Sequence, residues 1–153
     1  MKKLITVFII ALCACAANAQ SSLDNLKEFA TVMNNEARDV EQSIESMTGV
    51  KSKFICRFDE PNKEIVMEYI FDVKNWQYFD AEAARNTTFS SYASSYKNNP
   101  DFASFIGEMA DRGFSLHLIY SCFDDGEYKT KHAYITPFDI INDGVEIIAV
   151  PFN

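Results

Sequence analysis

The sequence predicts an α+β fold: a mainly antiparallel sheet of about four to five strands with about three helices packed on one face. Three features carry that expectation. Residues 23–47 repeat apolar side chains at steps of three and four. Two later stretches alternate apolar and polar residues and double back through turn-forming sequences. The segment between them holds two helix-start signals. The expected order is α-β-β-α-α-β-β-β, without the regular strand–helix alternation that marks an all-parallel sheet.

The first helix rests on Leu23, Leu26, Ala30, Met33, Ala37, Val40, Ile44 and Met47. Their spacing gathers one apolar stripe along a helix, and Phe29 and Val32 widen it enough to cover a sheet. Ser21 or Ser22 suits the N-cap, and Gly49 suits the left-handed position after the last turn. Two strands follow. Phe54, Cys56 and Phe58 alternate with Ile55 and Arg57, and Ile65, Met67, Tyr69 and Phe71 alternate with Val66, Glu68 and Ile70. Asp59-Glu60-Pro61-Asn62-Lys63 joins them as a hairpin turn.

Asp80 is the expected cap of a second helix reaching about residue 96. Asn99, followed by Pro100 and Asp101, starts a third that stops at Gly113. A second hairpin then runs through Leu116, Leu118, Tyr120 and Cys122, turns at Asp125-Gly126, and returns over residues 128–135. Thr136-Pro137-Phe138-Asp139 has the pattern of a capping box, while Asn142-Asp143-Gly144 offers a third hairpin turn instead. Residues 145–150 read as a final strand under either alternative.

The chain begins with Lys2 and Lys3, an apolar run over residues 4–17, and Ala17-Asn18-Ala19 ahead of Gln20. These are the three parts of a bacterial-type secretory signal, cleaved between Ala19 and Gln20. The expectation is therefore a signal peptide over 1–19 and one periplasmic or secreted domain over 20–153. Leu12-Cys13-Ala14-Cys15 supplies the alternative of a lipoprotein anchored through Cys15. The apolar run falls short of the ~20 residues a membrane span requires, and no later stretch qualifies. Cleavage removes Lys2 and Lys3 and no acid, so the net charge moves from −8 to −10. Such acidity excludes nucleic acid and anionic membranes as partners.

No Gly-rich phosphate loop, nucleophile elbow, Cys-x-x-Cys or His-Glu-x-x-His occurs. No cofactor is expected. Cys56 and Cys122 fall on apolar strand phases, as a disulfide between core strands or as two packed thiols. A two-residue turn at Asp125-Gly126 sets Ile119 opposite His132 and His117 opposite Tyr134, so both histidines share one face. With Phe123 and Tyr128, that outer face is the expected ligand or partner surface, comprising His117, Ile119, Phe123, Tyr128, His132 and Tyr134. The reading is a small exported binding domain for a protein or small ligand of the cell envelope, as a monomer or homodimer. The alternative is an envelope enzyme or metal-binding protein using His117 and His132.

Overall fold

A computed structural model describes residues 22–73 and 76–144 of the chain. The leader, its cleavage site, Cys15 and the expected strand over 145–150 lie outside the described residues. Helix α1 spans Ser22–Asn35 and α2 Ala37–Thr48. Strands β1 (Ser52–Asp59) and β2 (Glu64–Phe71) follow, then a 3-10 turn at Trp76–Tyr78. Helices α3 (Ala81–Asn98) and α4 (Pro100–Arg112) lead to β3 (Ser115–Asp124), β4 (Glu127–Ile135) and α5 (Pro137–Gly144).

The described residues form one sheet in the order β1-β2-β3-β4. Both hairpins are antiparallel, but β2 and β3 pair in parallel, Glu64 opposite Ser115 and Tyr69 opposite Tyr120. The sheet is thus mixed, which corrects the expected mainly antiparallel pairing. The 18-residue α3 and 13-residue α4 form a crossover that returns the chain to the end of the sheet where β2 began. The Ser115 amide donates to the Lys63 carbonyl at 3.0 Å and closes that junction. Burial explains why β2 and β3 take the centre. Ile65, Val66 and Met67 are buried in succession, as are Leu116, His117 and Leu118, so these two strands bury side chains of both phases. β1 alternates between buried and exposed positions over most of its length, and β4 is largely exposed, as edges do.

Five helices, not about three, are present among the described residues. One core cluster draws on all five, including Leu26 and Met33 of α1, Ile44 of α2, Tyr92 of α3, Ile106 of α4 and Ile140 of α5. They therefore lie on one face of the sheet. The expected first helix is two, broken at Glu36. The stripe survives the break, with Met33, Val40 and Ile44 all buried. Asn34, just before the break, donates from Nδ2 to the Cys56 carbonyl at 2.6 Å and accepts from the Cys56 amide at 2.7 Å. Glu41 accepts from the Phe54 amide at 3.1 Å. The outer edge of β1 is thus bonded to side chains of α1 and α2.

The local start and stop signals stand where the chain places them. Asp80 accepts from the Ala83 amide at 2.9 Å, and Asn99 accepts from Asp101 and Phe102. Gly113 is left-handed at φ 73. Thr136 and Asp139 exchange hydrogen bonds of 3.1 and 3.2 Å, so the capping-box alternative, not a hairpin at residues 142–144, describes this segment. Cys56 and Cys122 are buried and not joined in a disulfide. Cys56 lies opposite Met67 and Cys122 opposite Phe71. A full strand and four residues of register separate them, about 10 Å across and 13 Å along, beyond the ~7 Å a disulfide spans. No helix among the described residues is long and apolar enough to cross a membrane.

Candidate functional site

The sheet face opposite the helices presents Arg57 of β1, Glu64 and Glu68 of β2, His117 and Ser121 of β3, and Thr130 and His132 of β4. Strand alternation places them there, and the β3–β4 register is the expected one, His117 opposite Tyr134 and Ile119 opposite His132. The two histidines meet along the diagonal. His117 Nε2 lies 2.8 Å from His132 Nδ1, and His117 Nδ1 lies 2.8 Å from Glu64 Oε2. The Tyr134 ring stacks on His117 at 4.3 Å between centroids and 19° between planes.

Proton positions follow from this network. Glu64 as a carboxylate only accepts, so His117 carries its proton on Nδ1. His117 Nε2 then accepts from His132 Nδ1–H. His132 Nε2 is left to accept from the Thr130 hydroxyl at 3.3 Å. Protons on both of the facing nitrogens, His117 Nε2 and His132 Nδ1, would set two N–H donors against each other across 2.8 Å. The line connects Glu64 to the exposed ring of His132 through a His117 that is only 9% exposed.

A second network lies beside the first. Glu68 accepts from Tyr128 at 2.7 Å, from Arg57 at 2.9 Å and from Ser121 at 3.3 Å. Burial opposes its ionisation. The hydrogen bonds from Tyr128 and Arg57, the Arg57 charge and the Ser121 bond outweigh burial and hold the carboxyl below its ordinary range. The same bond to Glu68 raises the Tyr128 phenol.

The six expected surface residues therefore divide. His117, His132 and Tyr134 form one cluster, Tyr128 belongs to the second, and half-buried Ile119 lies opposite both His132 and Glu68. Phe123 stands apart, 69% exposed, with Tyr128 at 55% and Tyr134 at 49%. Sequence reasoning missed Glu64, Glu68 and Arg57, because they come from the first hairpin and reach the site only through the parallel pairing. Both nitrogens of His117 are engaged, so a metal shared by the histidines would displace one of these bonds. No three His, Cys, Asp or Glu side chains among the described residues are arranged around a common ion. Burial, reinforced by the Asp124 carboxylate, pushes the Cys122 thiol up and away from nucleophilic use. In the first hairpin turn, Asp59 accepts from the Asn62 side chain and amide, at 2.9 and 3.2 Å.

The chain matches no protein-family model, and no curated protein or solved structure is significantly similar to it.

Proposed function

We propose that residues 20–153 form an exported binding domain that receives a protein partner on the outer face of the β3–β4 hairpin. The supporting observation is the one-sided packing of the sheet. All five described helices serve the other face, and this one offers Phe123, Tyr128 and Tyr134 around hydrogen-bonded carboxylates and imidazoles. Exposed rings in a fixed polar frame suit a protein interface, where aromatic residues supply contact area and pre-paired polar groups supply register. Export rests on the leader. It predicts a mature protein beginning at Gln20 in the envelope or secreted fraction, which intact-mass measurement after fractionation checks. A lipidated chain starting at Cys15 is the competing result.

Affinity capture with the mature protein, compared between wild type and a Phe123→Ala/Tyr128→Ala double variant, tests the surface. Tyr78→Ser, altering a ring 79% exposed elsewhere, serves as control. One discrete partner retained by wild type and control but lost by the double variant is expected. Equal retention by all three would count against the face.

One observation favours a second reading. The Glu64–His117–His132 line has the form of an oriented general acid–base. Under it, His132→Ala would abolish turnover in a panel of esterase, peptidase and glycosidase substrates, and wild type must first show such turnover.

A further inference from the structure

The helical layer does not fully cover the core side of the sheet. α2 packs on β1 and α3 on β4, and between them the carboxyl ends of the parallel strands β2 and β3 open into a cavity of about 600 Å³. Tyr69, Phe71 and Tyr120 line it from the sheet, Ile44 and Met47 from α2, and Phe79 from the connector. The volume lies within the range that takes small ligands, and clefts at the carboxyl ends of parallel strands are a recurrent place for them.

Three features define what the cavity accepts. First, α3 contributes mainly small residues to the wall, with Ala84, Thr87, Thr88 and Ser91 at helical spacing. Larger side chains there would close the gap. Second, the two threonine hydroxyls return to their own helix, Thr87 to the Ala83 carbonyl at 3.0 Å and Thr88 to the Ala84 carbonyl at 3.2 Å. Those two hydroxyls are thus committed to the helix, and no charged side chain contributes to the lining, to which Asn86, Ser90 and Ser94 add neutral polar groups. Third, Tyr120 is 3% exposed, and its buried hydroxyl makes no hydrogen bond of ordinary geometry; the Thr88 hydroxyl beside it, close enough to oppose the rise of its pKa, donates to the Ala84 carbonyl instead. Buried polar groups are nearly always paired. A cavity-lining hydroxyl left over is a place for a ligand oxygen.

We propose that this cavity binds a neutral, largely apolar molecule carrying one hydroxyl or carbonyl oxygen, with that oxygen hydrogen-bonded to Tyr120. Charge selects against fatty acids in their ionised form, because burying a carboxylate among uncharged groups is costly. The site is separate from the hairpin surface and does not depend on it.

The test uses the mature protein with N-phenyl-1-naphthylamine as a neutral fluorescent probe, displaced by decan-1-ol or by decanoate at about pH 8. Saturable binding of one probe per chain is expected, with decan-1-ol displacing it at least about tenfold more effectively than decanoate. Thr88→Leu fills the cavity, so probe affinity should fall at least about tenfold while the circular dichroism spectrum is retained. Ala84→Leu, on the same wall, decides the point if Thr88→Leu does not fold. Tyr120→Phe should keep the probe and weaken decan-1-ol about fivefold, the loss of one neutral hydrogen bond. The Phe123→Ala/Tyr128→Ala variant should bind the probe like wild type. Absence of saturable binding, equal competition by decanoate, or indifference to the filling variant overturns the proposal.

Discussion

Glu68 is the side chain on which one half of the open face converges, since three donors from three strands meet its two oxygens. Replacing it with Gln removes the charge that Arg57 and Tyr128 serve. A loss of about 1–2 kcal/mol is expected in urea unfolding at neutral pH. Its folded pKa lies below the ordinary value, so it adds stability above the ordinary Glu range. That contribution disappears as pH falls through the folded value. Wild type and Glu68→Gln should therefore converge in stability on acidification, and parallel curves would refute the assignment. At this scale the sequence was half legible. The Asp125-Gly126 turn, with φ of 53 and 80, fixes one register and hence the meeting of His117 with His132. Glu64 and Glu68 belong to another hairpin, and nothing in local alternation says which strand of one hairpin lies beside which strand of the other.

Helix ends were the most legible elements, because a cap is a contact between near neighbours in sequence. Asp80, Asn99, Gly113 and the Thr136–Asp139 pair all occupy the positions their chemistry implies. The break at Glu36 was not legible. Met33, Val40 and Ile44 keep helical spacing across it, so periodicity alone cannot reveal it. What marks the place is Asn34, whose amide engages both the N–H and the C=O of Cys56. Asn34→Ala should cost about 1–3 kcal/mol by leaving two backbone groups of β1 without these partners. Thermal melts check this, and Asn35→Ala, at the neighbouring helical position, is the control expected to stay within about 0.5 kcal/mol of wild type.

For the molecule as a whole, composition and patterning predicted an α+β layer with helices on one face, and missed the parallel centre. The overlooked sign was burial on both sides. Ile65-Val66-Met67 is an unbroken apolar run where alternation alone would have set a polar residue in the middle. The core also carries a titration signature. Burial raises Tyr69 and Tyr92, and it lifts Tyr120 to about 12 against opposing effects of Thr88 and Arg85. Below pH ~10 these phenols are neutral in both states. As pH rises past that value the unfolded chain ionises first, so stability falls through the folded values. The urea midpoint should decline between about pH 10 and 12, with part of the tyrosinate absorbance appearing only as the fold is lost. Complete ionisation before any loss of circular dichroism would contradict this packing.

The bonding of Asn34 and Glu41 to β1 has a consequence for assembly. Among the described residues, a sheet whose one margin is already stoppered by its own helices has a single side left for lateral growth, along β4. Two copies joined there would expose only sealed margins, and polymerisation into ribbons would terminate at the pair.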